Sequence, residues 1–182
     1  MTTENTESKL TPLSGSKPNV TFLGTADAFN ACGFANSCYW VNDALGNYVI
    51  DFGPTALMKC NEYDCDLDEL DLILVTHLHG DHIGGLPMLL LHLTFERIRA
   101  RPFYIAGPPD TREFVERLWR GTYPSTMKKG LAFDLRFIDW DTSQPIEACQ
   151  RQIQSLEAVH DPDAQPHSLR IRGPGYTLAV SG

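Results

Sequence analysis

The residues best equipped for chemistry stand in one run, Thr76-His77-Leu78-His79-Gly80-Asp81-His82. Imidazole nitrogen and carboxylate oxygen are the donors zinc takes at catalytic sites, which leave one position open for water. His77 and His79 are two apart, so in extended chain their side chains leave on the same face. Gly80 is expected to let the backbone turn sharply and bring Asp81 and His82 round to the same small space. The chemistry such a cluster would do is hydrolytic. Bound zinc lowers the pKa of water to about 7, and a second ion roughly 3.5–4 Å away would clamp the attacking and leaving oxygens. A polar loop with chance histidines is the bland alternative. It fits poorly, because Leu72-Ile73-Leu74-Val75 directly before the cluster is the continuous apolar run of a strand buried on both faces.

That strand needs neighbours to hold it. Further strands are predicted at 20–24, 37–42, 48–51, 103–106, 133–139, 153–160, 168–172 and 176–181, with Ala44-Leu45-Gly46-Asn47 as a turn. Helices are predicted from Pro54 to about Asn61, at Asp66-Leu67-Asp68-Glu69, from about Met88 to Arg99, and after Pro109-Asp110. In the last of these, Phe114, Val115, Leu118 and Trp119 keep helical spacing. Helices set between strands predict an α/β layered fold.

The chain of 182 residues is long enough for one domain with a real core. Its net charge of −8 argues against a broad basic surface for nucleic acid. No apolar run approaches the ~20 residues of a membrane span. Residues 1–18 lack the anatomy of a signal peptide, and their polar composition predicts a disordered tail, leaving 19–182 as the domain. The five cysteines are odd in number and none sit in Cys-x-x-Cys spacing, which predicts buried thiols in a reducing cytoplasm. His92, among leucines, is expected to be packed, and His167 to be a packing or rim residue. Arg97, Arg99 and Arg101 are expected to form a solvated helix end.

The spacing His-x-His-x-Asp-His, here His77, His79, Asp81 and His82, resembles the signature of the metallo-β-lactamase superfamily. Asp51, followed by Phe52-Gly53, resembles its first motif, and Val159-His160 its lone-histidine motif. Val20-Thr21-Phe22-Leu23-Gly24-Thr25 together with residues 76–87 is similar to the ribonuclease Z-like branch. The resemblance covers about residues 19–182 and implies a four-layer αββα sandwich. It implies that His77, His79 and His160 hold a first metal and that Asp81 and His82 contribute to a second. Asp81 is also implied as proton acceptor, and Asp51 as the carboxylate that orients the metal loop from behind. The implied metal is zinc, two ions, with manganese or iron as alternatives. Iron redox relatives usually place a Glu where His79 stands, which counts against redox use. The resemblance further implies a bridging Asp and a last His beyond Gly182. The sandwich is therefore expected to lack its C-terminal part, with apolar faces left uncovered and a homodimer as one way to cover them.

The implied activity is metal-dependent hydrolysis of a phosphodiester in the cytoplasm, with no membrane involved. tRNA is not favoured, because the chain is acidic and carries no Lys-rich arm, and a small-molecule phosphodiester, or another ester or lactone, is as good an expectation. The alternative is a non-catalytic metal-binding or interaction module, or a fragment needing a partner to complete the site.

Overall fold

The computed structural model describes residues 17–96 and 99–182, so most of the tail expected over 1–18, together with Arg97, lies outside the described residues. Six strands form one sheet in chain order: β1 (Asn19–Gly24), β2 (Cys38–Asp43), β3 (Gly46–Ile50), β4 (Leu70–Leu74), β5 (Phe103–Gly107) and β6 (Leu135–Asp139). The β1–β2 and β2–β3 pairings are antiparallel, and β3 through β6 run parallel. The crossovers carry the helices: α1 (Ala56–Glu62), then α2 (Gly80–Ile83) and α3 (Leu86–Phe95), then α4 (Thr111–Thr122) and α5 (Pro124–Lys129). A second, antiparallel sheet follows in the order β10-β9-β8-β7, from β7 (Ile146–Ala148), β8 (Arg151–Glu157), β9 (His167–Gly173) and β10 (Tyr176–Val180).

Period-2 alternation assigns each strand residue to one of two cores. Val49, Ile73, Phe103 and Ile105 face the helices and bury against Leu86, Leu89, Leu90, Leu93 and Trp119. Tyr48, Ile50, Leu72, Leu74 and Ala106 face the second sheet and bury against Ile153, Leu169 and Ile171. This double burial explains the unbroken apolar run of β4. The outer face of the second sheet carries exposed Gln152, Arg170 and Arg172, with Leu156 as an exposed apolar residue among them, and Arg170 and Arg172 donate to Gln154 and Gln152. An antiparallel sheet with one wet face alternates in this way.

Several boundaries differ from expectation. α3 starts at Leu86 and stops at Phe95. Arg99 is buried, not solvated: its guanidinium donates to the Leu70 carbonyl (2.9 Å), to Pro102 O (2.7 Å) and to Asp71. Residues 67–69 form only a 3-10 turn, capped where Asp66 Oδ1 accepts from the Asp68 amide. β8 ends at Glu157, three residues short of His160. Cys38 and Cys60 are buried and Cys65 and Cys149 half-buried, but Cys32 is exposed, so the buried-thiol expectation fails there. His167 is buried, with Nδ1 2.8 Å from Gln165 O, and lines a surface cavity, as a packing and rim residue would. No helix among the described residues is long and apolar enough to cross a membrane.

Candidate metal centre

The parallel pairing of β3, β4 and β5 brings their carboxyl ends to one edge of the sheet, where open α/β folds bind their ligands. β4 runs out into Thr76 and His77. The chain at the end of β3 becomes Asp51, whose backbone lies in the left-handed region at φ 59°. Asp is among the residues that tolerate that conformation. The Asp51 amide still donates to Leu74 O (2.8 Å), and its carboxylate turns towards the histidine loop. Oδ1 accepts from the Thr76 amide (2.8 Å). Oδ2 accepts from Thr76 Oγ1 (2.8 Å) and from His82 Nδ1 (2.7 Å). The Asp51 side chain is only 2% exposed.

His160 arrives from the other sheet. The loop after β8 is closed by the Ala158 amide donating to Pro166 O (2.9 Å). It is stitched to the histidine loop by Leu78 N–H to Ala164 O (2.9 Å) and His167 N–H to Thr76 O (3.0 Å). His77, His79 and His160 thereby offer ring nitrogens that all lie within 4.8 Å of one another. His160 Nε2 is 3.2 Å from His79 Nδ1. Two nitrogens on one tetrahedral zinc stand roughly 3.3 Å apart, from Zn–N bonds of ~2.0–2.1 Å, so this donor set fits that ion.

Beside the triad, His82 stacks on His77 with ring centroids 3.9 Å apart, and its Nε2 lies 3.4 Å from Asp81 Oδ2. Asp81 and His82 thus form a second, smaller group of donors next to the first.

The electrostatics follow from the contacts. Burial, then the neighbouring His82, His79 and His160, push the His77 pKa down to about 3, so this ring is neutral and able to donate a lone pair. Burial opposes charge on His82 as well, but the Asp51 carboxylate outweighs it and holds the ring above the ordinary histidine value. The His79 hydrogen bond, then the Asp163 amide, hold the Asp161 carboxyl below its usual range.

All five residues expected as ligands therefore meet at one place, with Asp51 behind them. Three features of the site were not expected. Thr76 Oγ1 lies 3.0 Å from His77 Nδ1, linking that ring to Asp51. Asp161 Oδ2 lies 3.1 Å from His79 Nε2. Gly80 starts α2 and makes no sharp turn, and a Cβ there would meet nothing within 4 Å. The glycines that the site requires are Gly53 and Gly85, where a Cβ would lie 2.2 Å from Asp81 O and 2.2 Å from Gly53 O. Phe52 N–H to His82 O (2.6 Å) and Gly85 N–H to Phe52 O (2.9 Å) need that close approach.

A helix layer, a mixed six-stranded sheet and a second sheet, with a histidine cluster where the parallel strands end, make this a metallo-β-lactamase-fold protein. The metallo-β-lactamase fold protein YhfI of Bacillus subtilis matches it with a TM-score of 0.69 at 21% identity, over 91% of this chain and 62% of that one. The short form of human tRNase Z matches with a TM-score of 0.73 at 22% identity, over 91% of this chain and 69% of that one. Within that fold, the chain belongs to the Anti-Pycsar protein Apyc1 family, whose profile matches residues 18–181. The Anti-Pycsar protein Apyc1 of Paenibacillus sp. (strain J14) is 31% identical over 166 residues. That match covers 82% of this chain and 61% of the relative, so the chain spans about three fifths of that protein's length.

Proposed function

We propose that the chain carries the metal-holding site of a hydrolase acting on a compact, singly charged phosphodiester, such as a cyclic nucleotide. The observation that carries this reading is the meeting of His77, His79 and His160, from two distant segments, within 4.8 Å. In it, His77, His79 and His160 hold one zinc, and Asp81 and His82 contribute to a second, with manganese or iron as alternative metals. When bound, the metals supply Lewis acidity, making water a nucleophile near neutral pH and offsetting the phosphate's charge. The ring of His77, neutral at any ordinary pH, is always ready to bind. Asp51 aims His82 and, through Thr76, His77. Asp81, 14% exposed at its side chain, is reached by solvent and accepts the proton given up by the attacking water.

Room for the organic part of the substrate exists beside His79. A groove of about 400 Å³ lies against it, with Leu78 and Ala164 as apolar surface and Phe114 and Arg117 on one wall. Asp110, Glu113, Asp161 and Asp163 also line it, so carboxylates outnumber its one cation. Such a rim repels a strand of many phosphates more than a molecule with one, and the net charge of −8 acts in the same direction. This favours a small phosphodiester over tRNA. A homodimer and a reducing, cytoplasmic setting belong to the same proposal. Phe22, Phe29 and Phe34 are exposed apolar side chains of the kind self-association covers, and the five cysteines are free thiols.

The test is metal analysis together with turnover of cyclic nucleotides and bis(p-nitrophenyl) phosphate by the full natural protein. Bound zinc with turnover is expected, and both should be lost in His77→Ala and His160→Ala. Tight metal without turnover of any phosphodiester would replace the enzyme by a non-catalytic metal-binding module. A protein that takes up no metal would end the proposal.

A further inference from the structure

We infer that Asp161 is a positioning residue for His79, fixing which ring nitrogen of His79 is left bare towards His77 and His160. The inference rests on the metal-holding reading of those three histidines.

Asp161 Oδ2 lies 3.1 Å from His79 Nε2. A carboxylate can only accept, so Nε2 carries the hydrogen. A neutral imidazole has one N–H, which leaves Nδ1 as a lone pair. Nδ1 is the atom that stands 3.2 Å from His160 Nε2, inside the triad. The hydrogen bond to Asp161 and the inward lone pair are therefore two ends of one ring orientation.

The carboxylate is itself held in place. Its other oxygen, Oδ1, accepts from the Asp163 amide (3.1 Å), and Pro162 between them opens the 3-10 turn Pro162–Ala164. That turn is tied to the histidine loop one residue before His79, by the Leu78 amide donating to Ala164 O. One short segment, His160-Asp161, thus supplies a ring to the triad and aims a ring that comes from the other segment. The arrangement repeats around the cluster. Thr76 Oγ1 stands behind His77, Asp51 behind His82, and Asp161 behind His79. Of these, His79 is the ring most in need of such support, because its side chain is 35% exposed, against 17% for His82, and water competes most for its nitrogens. A negative oxygen behind an imidazole also raises the basicity of the nitrogen opposite.

The test uses zinc titration against a competing chelator, and imidazole ¹⁵N NMR of the zinc-free protein. Asp161→Ala is expected to weaken zinc roughly tenfold, the low end for groups behind a ligand because this carboxylate is half-exposed. It should also turn the single His79 tautomer into a mixture. Asp161→Glu keeps two oxygens and should recover most of the loss. Asp161→Asn should not, because it brings one oxygen to two donors. Pro162→Gly loosens the turn but leaves the carboxylate, and should cost much less. Unchanged zinc affinity and an unchanged tautomer in Asp161→Ala, or an equal loss in Pro162→Gly, would overturn the inference. If the parent protein binds no zinc, the metal reading fails, and the tautomer measurement still decides the role of Asp161.

Discussion

Asp51 concentrates more demands than any other side chain of the site. It is buried, sits at φ 59°, and its carboxylate accepts from Thr76 N, Thr76 Oγ1 and His82 Nδ1. Asp51→Ala removes every acceptor and leaves a buried amide unmatched, each such group costing about 1–3 kcal/mol. It also places a residue with no side-chain hydrogen bond in a left-handed backbone. We expect a clear loss of stability in urea denaturation. Asp51→Asn tolerates the backbone but offers one oxygen to these donors. Its stability should fall less, and the pKa of His82 in the zinc-free protein, now held up by the carboxylate, should move down in an NMR titration. The His-x-His-x-Asp-His run stands out in the sequence because ligand chemistry restricts both residue type and spacing, whereas His160, a lone histidine, is marked only by the family resemblance. Asp161 is marked by neither, because Asp-Pro-Asp reads as an ordinary turn until the segment carrying it is laid against His79.

At the scale of elements, the histidine loop is fixed by main-chain docking onto the turn after β3. A Cβ on Gly85 would sit 2.2 Å from Gly53 O, so Gly85→Ala must push the two turns apart. Overpacking of this kind costs typically about 1–3 kcal/mol, and here it should also displace His82, whose carbonyl takes the Phe52 amide. Gly80→Ala, by contrast, meets open space at the start of α2 and should leave stability and metal affinity close to the parent's. Paired denaturation and metal titrations of the two variants would expose an error in either expectation. The sequence marks all of these positions as small, but not what each one touches. For the same reason the strand expected over 153–160 is longer than the one that forms. The apolar pattern continues past Glu157, while the Ala158–Pro166 bond takes the chain out of the sheet to deliver His160. α5 and β7 went unread because six and three residues are too few to show a period.

The two sheets are joined by apolar packing and by a buried ion pair. Arg151 donates to Asp43 at 2.6 and 2.9 Å, each residue about 1% exposed at its side chain, and Tyr176 adds a hydrogen bond of 2.6 Å. The partners are 108 residues apart, and nothing in either segment announces the other. Arg151→Ala strands a buried carboxylate and should cost about 3–5 kcal/mol. Burial opposes charge on Asp43, but Arg151, Tyr176 and the Leu45 amide outweigh it and hold the carboxyl below its ordinary 3.8. A native pKa below the unfolded one gives stability that is complete above about pH 4 and lost as the pH falls through the lowered native value. Acid melting curves should therefore bend downward below pH 4 in the parent, and less steeply in Arg151→Ala.

Two of the triad's histidines ride on the six-stranded sheet and the third on its four-stranded partner. An ion gripped by all three would act as a rivet through the sandwich, resisting any slip of one layer over the other. Affinity for that ion and the rigidity of the interlayer seam are then a single linked quantity, and side chains that only glue the seam, such as Ile153, Leu169 and Ile171, tune the grip without ever approaching it.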